Sequence, residues 1–153
     1  MIDQSERDDV GHGPLSAMWV ICNLAARVME PALRPYRMTS AEYVLASLLT
    51  RRGGMTPTDV ASRTAMAPTT VSYLLRRMQE RGHLTRVTRP EDRRSVVVQL
   101  TQEGVAAQRR ASAAVDDLAA EYRAALTRSD SDVREVLDDA ERALRGVLAA
   151  RDT

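Results

Sequence analysis

The 153-residue sequence has no phenylalanine, no lysine, one cysteine and two histidines. The single cysteine excludes a disulfide within the chain, and His12, Cys22 and His83 lie too far apart in sequence to suggest a metal site. No run approaches the ~20 apolar residues of a membrane-spanning helix. No phosphate-binding glycine loop or nucleophile elbow occurs. We therefore expect a protein that is not an enzyme and has no metal, no cofactor and no membrane segment.

The first fourteen residues are polar and lack the apolar segment of a signal peptide. We expect residues 1–14 to form a flexible arm and the protein to be cytoplasmic. The chain is long enough for a domain with a real core. Alanine supplies much of its apolar content, which favours close helix packing but leaves a modest core. Part of the apolar surface is therefore expected to be buried between subunits.

The charge is unevenly distributed along the chain. The total is +1, but residues 51–94 hold ten arginines against four acids, a net +6, so the rest of the chain sums to −5. A basic segment within an acidic frame indicates that one face meets a polyanion. A solvated surface with chance clustering is the alternative explanation.

The basic segment contains the signals of two helices joined by a tight turn. Thr56 can cap the first helix and Pro57 suits its first turn. A second helix should open near Pro68 and end at Gly82. Its apolar stripe is Val71, Leu74, Leu75 and Met78. The opposite face then carries Thr69, Ser72, Tyr73 and Arg76, flanked by Thr70 and Arg77.

A basic hairpin should follow the second helix. Leu84–Thr88 and Ser95–Leu100 are rich in β-branched residues and flank a charged tip at 89–94, which is too long for a two-residue turn. Two helices and a charged hairpin predict a winged helix–turn–helix, whose second helix fits the major groove. A small structural unit with a solvated hairpin is the alternative.

The remaining segments predict long helices at about 15–34, 40–52, 102–126 and 130–151. Thr39 and Glu42 form a capping-box pattern before the second of these. Cys22 falls on an apolar stripe and is expected in the core, with a redox-sensing role as the alternative. We predict a mainly α fold with a small β-hairpin wing, in which residues 36–100 form the DNA-binding domain. Residues 15–35 and 101–151 would form a helical dimerisation bundle. A monomeric intrachain bundle stays open.

The chain resembles the MarR family of transcriptional regulators. The resemblance rests on Thr70-Val71-Ser72 through Arg81-Gly82-His83-Leu84, then Pro90-Glu91-Asp92-Arg93-Arg94, and Leu100-Thr101-Gln102-Glu103-Gly104. It implies a homodimer that binds palindromic operator DNA as a repressor. It also implies possible release by a small aromatic ligand in a crevice that Met18, Trp19, Tyr36 and Met38 could line. Each of these four residues can equally be a core or interface residue.

The expected roles in DNA recognition divide between the second helix and the wing. Arg76 or Arg77 would make the sharpest base contact, and Thr69, Thr70, Ser72 and Tyr73 would contact base edges or phosphates. In the wing, Arg93 would enter the minor groove beside Arg89 and Arg94, while Asp92 would hold the wing's shape by pairing with an arginine. The alternative function is a winged helix that binds protein without binding specific DNA.

Overall fold

The computed structural model describes residues 13–89 and 92–151, with the side chains of residues 89 and 92–95 left out of the description. The chain is mainly helical with one hairpin. A short 3-10 helix, Arg34–Tyr36, lies between the first two α-helices. The other elements are α1 (Pro14–Leu33), α2 (Ser40–Arg52), α3 (Pro57–Thr64), α4 (Pro68–Glu80), β1 (Leu84–Arg89), β2 (Asp92–Leu100), α5 (Gln102–Ala125) and α6 (Asp130–Arg151).

Helix α3 begins and ends where the side chains dictate. The Thr56 hydroxyl accepts from the Asp59 N–H at 3.1 Å and donates to the Asp59 carboxylate at 2.7 Å. Pro57 occupies the first turn, and Ala65 follows the helix in the left-handed region with φ of 55°. Helix α4 begins at Pro68, and Gly82 just beyond it has φ of 76°, which favours glycine. The predicted helix–turn–helix is confirmed.

The predicted capping box of α2 is also present. Thr39 accepts from the Glu42 N–H at 3.3 Å, and the Glu42 carboxylate accepts from the Thr39 N–H at 2.9 Å. This satisfies two backbone donors that the first turn would otherwise leave unpaired. Glu42 is, however, completely buried, which its position in a capping pattern did not predict.

The hairpin differs from the sequence prediction at its tip. Leu84 pairs with Leu100 and Thr88 with Val96, after which the register shifts and Arg89 pairs with Asp92. The strands therefore continue past their predicted ends at Thr88 and Ser95. The predicted bounds of the charged tip at 89–94 were wrong, because the register shifts after Thr88 and pairing resumes between Arg89 of β1 and Asp92 of β2.

One apolar core joins the end of α1, helices α2, α3 and α4, the hairpin and the first half of α5. Met55 is tied to it by paired backbone hydrogen bonds with Val98 at 2.8 and 3.0 Å. The start of α5 packs closely on the end of the α4 turn, where a Cβ on Gly104 would overlap the His83 carbonyl. The largest fully buried side chains among the described residues are Leu33, Leu45, Leu75, Met78, Glu42, Val60, Val71 and Val98.

The chain divides into two compact units, one up to Val115 and one from Asp116 onward. In the first unit, α1 contributes only Leu33 to the buried core. Cys22 is exposed, so its predicted burial was wrong for one copy of the chain. The physical reason is that α1 buries only Leu33 at its end, while its other large apolar side chains are exposed, at Leu15, Trp19, Ile21, Leu24 and Val28.

The second unit holds the end of α5 and all of α6. None of the described residues of α6 is buried, although Val136, Leu137, Leu144, Val147 and Leu148 recur at helical spacing. Amphipathic helices of this kind normally bury their apolar stripe. Across the described ranges 13–89 and 92–151, no helix combines the length and apolar character needed to cross a membrane.

Candidate nucleic-acid interface

Helix α4 separates apolar and polar side chains onto opposite faces. Val71, Leu74, Leu75 and Met78 are buried in the core, as the sequence predicts. The opposite face carries five exposed side chains and the partly exposed Arg77. The six predicted major-groove residues therefore share one outward surface, which we call the α4 face. It consists of Thr69, Thr70, Ser72, Tyr73, Arg76 and Arg77.

The aromatic ring of Tyr73 lies at the centre of the α4 face. The guanidinium carbons of Arg76 and Arg77 lie 5.9 and 5.6 Å from its centroid, within the range of cation–π attraction. The Arg77 Nη1 also donates a hydrogen bond to the Tyr73 hydroxyl at 3.3 Å. The two arginines differ in exposure, because the Arg76 side chain is 67% exposed and that of Arg77 only 37%.

A buried carboxylate lies behind the α4 face. Glu42 of α2 has no exposed side-chain surface, and its Oε1 lies 3.7 Å from the Arg77 Nε. The same oxygen pairs with the Arg81 guanidinium, which also donates to the Arg37 carbonyl at 2.7 Å. We call Glu42, Arg77 and Arg81 the Glu42 ion cluster. It links the start of α2 to Arg77 in the last turn of α4 and to Arg81, the residue that follows the helix.

The charges of the cluster affect the arginine that reaches the surface. The hydrogen bond to Tyr73 and the negative charge of Glu42 raise the pKa of Arg77 above its usual value. Arg77 is thus held as a cation at any physiological pH. Arg76 has a weaker partner, the exposed Glu80 at 3.8 Å, in a surface pair of the kind that contributes little.

The backbone at the end of α4 holds a second buried titratable group, His83. Burial is the main cause that lowers the pKa of His83 below 6.5, and the Arg81 charge lowers it further. Among the described side chains, the His83 Nδ1 and the Arg81 Nε are buried atoms without a hydrogen-bond partner. Gln79 on α4 accepts from Arg86 on β1 at 3.1 Å, which ties the helix to the hairpin.

The predicted wing residues are placed only by their backbones. Arg89 ends β1, and Asp92, Arg93 and Arg94 begin β2. Their side chains lie outside the described part of the structure, so the minor-groove role of Arg93 and the pairing of Asp92 stay predictions. The hairpin nevertheless brings all four backbones to the end of the ladder farthest from Leu84 and Leu100.

The four residues predicted to line a ligand crevice do not share one environment. Met38 lies in the hydrophobic core, and Tyr36 is partly buried against that core. Trp19, in contrast, is 66% exposed, and Met18 is partly exposed. A different, open cavity of about 370 Å³ lies at the base of the hairpin, lined by Leu100, Thr101, Gln102, Val105, Ala106 and Arg109. No three His, Cys, Asp or Glu side chains in the described ranges cluster as metal ligands.

Sequence reasoning missed Glu42 and Arg81 as parts of this region. Glu42 was assigned only to the capping box, and Arg81 was read only as part of a family motif. Their separation of 39 residues gives no local signal of contact. The sequence contains one hint of this contact. Glu42 precedes a run of apolar residues in α2, and a segment rich in arginine follows.

Comparison with known proteins gives a consistent result. The MarR family model matches residues 38–95, which contain α2, α3, α4 and β1. The transcriptional regulator PecS of Dickeya dadantii is 27% identical over 109 residues, which is 67% of this chain and 66% of PecS. The matched region includes the helix–turn–helix but leaves about a third of PecS uncovered.

Solved structures match over nearly the whole chain. The Mycobacterium tuberculosis regulator MOSR, solved in complex with DNA, has a TM-score of 0.79 at 20% identity and covers 89% of this chain and 98% of MOSR. The Streptomyces coelicolor regulator PcaV, solved with its natural ligand, has a TM-score of 0.74 at 20% identity, covering 95% of this chain and 96% of PcaV. At these identities the likeness establishes the fold.

Proposed function

We propose that the chain is a MarR-family winged-helix transcriptional regulator and, from that premise, a homodimeric, sequence-specific DNA-binding repressor that acts on a palindromic operator. The family and the curated relatives are transcription regulators, not enzymes. The DNA partner, the dimer and the sign of regulation are our proposals. We also propose a cytoplasmic location, where a regulator of this kind would reach its operator.

The observation that carries the proposal is the outward orientation of the α4 face. Its hydroxyl and guanidinium groups are the donors that base edges and phosphate oxygens accept, and they occupy one side of a single 13-residue helix. A helix whose opposite face is buried in its own core is rigidly presented, so its polar face can enter a groove without refolding. MOSR, of the same fold, was solved with DNA.

The distribution of charge supports the same proposal. The net +6 of residues 51–94 lies on the segment that contains the α4 face and the hairpin. Cationic side chains release counterions from DNA when they bind, which gives affinity without sequence preference. Hydrogen bonds from the α4 face would then supply the sequence preference.

The exposed apolar surfaces support a homodimer. In the first unit, α1 exposes Trp19, Ile21 and Val28, and in the second unit α6 exposes Val136 and Val147. Each surface would leave large apolar side chains in water in a monomer, which is unfavourable by about 25 cal/mol for each Å². A second copy of the chain covers such surfaces symmetrically, and a two-fold dimer matches a palindromic site.

We also propose that a small-molecule ligand controls release from DNA. PcaV was solved with its natural ligand, and small-molecule sites are concave and mostly apolar. Trp19 and Met18 on α1 can contribute to such a site only together with a surface that covers them. Met38 is already buried in the core and is not available as a lining residue without rearrangement.

Footprinting on the DNA upstream of the protein's own coding region tests the proposal. We expect a protected site with two half-sites about one helical turn, or 10–10.5 base pairs, apart. In a companion titration, random-sequence duplex should bind at low salt and dissociate steeply as salt rises. A protein that shifts no duplex even at low salt would instead fit a winged helix that binds protein.

A further inference from the structure

Glu42 holds a position that stability alone explains poorly. Its carboxylate is completely buried in α2, although removing a charge from water is costly unless good partners compensate for it. The backbone of Thr39 supplies one partner, at 2.9 Å from Oε2, and Arg81 supplies another at Oε1. Beyond these two partners, a second guanidinium, that of Arg77, also faces Oε1.

The Arg77 guanidinium lies between Glu42 and the Tyr73 hydroxyl. Its Nε lies 3.7 Å from the Glu42 Oε1, on the inner side of α4, while its Nη1 reaches the Tyr73 hydroxyl at 3.3 Å on the outer side. The guanidinium group is planar and rigid, so an attraction that orients the Nε edge toward Glu42 also orients the Nη edge toward Tyr73. Glu42 therefore constrains a contact on the α4 face without reaching that face itself.

The contact determines which role the Tyr73 hydroxyl can play. A guanidinium can only donate, so the Tyr73 oxygen is the acceptor in this pair and its own hydrogen is free to be donated outward. Accepting from a cation also polarises the O–H bond and makes it a stronger donor. The exposed hydroxyl is thus prepared to donate to an anionic oxygen.

We propose that Glu42 is a positioning residue of the DNA-binding surface, which acts through Arg77 to hold the Tyr73 hydroxyl as an oriented donor to a phosphate oxygen. The inference rests on the proposed DNA-binding function and names one contact within it. A phosphate is preferred over a base as the acceptor, because a donor strengthened by a neighbouring cation is best matched by an anion.

The test is a double-mutant cycle between Glu42→Gln and Tyr73→Phe in the full-length protein. The probe is a labelled random-sequence duplex at low salt, since a phosphate contact does not depend on sequence. Each single variant should weaken binding about tenfold, the usual effect of losing one hydrogen bond to a charged group. The double variant should lose no more than either single one.

Charge alone predicts the opposite sign for Glu42→Gln. Removing a negative charge from a DNA-binding unit should tighten binding to the duplex, and that outcome would overturn the positioning role. Glu103→Gln is the matched control, because Glu103 is an exposed acid at the start of α5 in the same unit. It should leave affinity unchanged or slightly tighter, which isolates the effect of position from the effect of charge.

Additive losses in the cycle, about a hundredfold in the double variant, would overturn the inference while the DNA-binding proposal stands. Failure of the wild-type protein to bind any duplex would overturn both. If Glu42→Gln does not fold, as circular dichroism and thermal unfolding would reveal, the cycle is run between Arg77→Ala and Tyr73→Phe. There, adding Tyr73→Phe to Arg77→Ala should cost nothing further, and an independent loss would refute the link.

Discussion

The two arginines of the α4 face differ in exposure and in their contacts, and we assign them different roles for that reason. Arg77 faces Glu42 and donates to the Tyr73 hydroxyl, whereas Arg76, among the described residues, contacts only the exposed Glu80 and the face of the Tyr73 ring and is the more exposed of the two. The sequence predicted either arginine as the sharpest base contact and could not choose between them. The structure favours Arg76 for that role, because its side chain is the freer of the two to reach a base edge.

Arg76→Ala and Arg93→Ala are expected to weaken DNA binding in different ways. Loss of Arg76 should lower affinity for the specific site by about 1–3 kcal/mol and relax preference at one base position. Loss of Arg93 should weaken binding to all DNA sequences more evenly. It should also reduce the slope of log affinity against log salt concentration by about one. Salt titrations against the footprinted site and single-base variants of it measure both. Identical behaviour of both variants and the wild type would refute this division.

Gly104 is required by a close approach of two backbones. A Cβ at this position would overlap the His83 carbonyl, and that contact is backbone rather than a flexible side chain. Gly104→Ala should therefore lower the free energy of unfolding by about 1–3 kcal/mol, the usual cost of overpacking. Urea denaturation measures the change.

Gly146→Ala is the matched control for that substitution. Gly146 lies in α6 with nothing within 4 Å of the added Cβ. Alanine there should raise stability by about 0.5–1 kcal/mol, since it restricts the unfolded chain and suits a helix interior. Equal effects at the two glycines would show that the approach to His83 is not tight.

His83 makes stability depend on pH in one direction. Burial and the Arg81 charge hold its pKa below the 6.5 of the unfolded chain, so the unfolded state takes up a proton first as pH falls. The contribution of His83 to the free energy of unfolding should be constant above pH 6.5. It should decrease as the pH falls below 6.5, by at most about 1.4 kcal/mol per pH unit. His83→Gln should flatten that fall in urea denaturation between pH 5 and 8, and a parallel curve would refute the assignment.

At the scale of elements, side-chain caps fix where helices begin. Thr39, Thr56 and Thr101 each accept from a backbone N–H three residues ahead, and each precedes the first residue of a helix. These signals are local, and the sequence located all three starts. The hairpin was predicted less well at its tip, because pairing resumes at Arg89 and Asp92 through an irregularity that propensity does not encode.

Thr101→Ala tests the cap that joins the hairpin to α5. The hydroxyl accepts from the Gly104 N–H at 3.0 Å and donates to the Gly82 carbonyl at 2.6 Å, so its loss removes two hydrogen bonds. We expect a loss of about 1–2 kcal/mol in thermal or urea unfolding. Thr101→Ser keeps the hydroxyl and should retain most of the stability, and equal losses in the two variants would argue against the cap.

At the scale of the whole molecule, the unburied apolar faces point to assembly. Trp19 is the largest exposed side chain of α1, and Trp19→Asp would place a charge in the proposed dimer surface. We expect the variant to sediment as a monomer and to bind the operator at least tenfold more weakly, since a lone half-site contact remains. Trp19→Phe is the conservative control, and a dimeric Trp19→Asp protein would exclude this face from the interface.

The sequence by itself determined the helix starts, the apolar stripe of α4 and the composition of its polar face, because these depend on residues within a few positions of one another. Only the tertiary structure decided that Glu42 lies behind that face and contacts residues 35 and 39 positions away. It also decided that Cys22 is exposed in one copy of the chain. Burial depends on what packs against a helix, and a helical pattern specifies a face without specifying its partner.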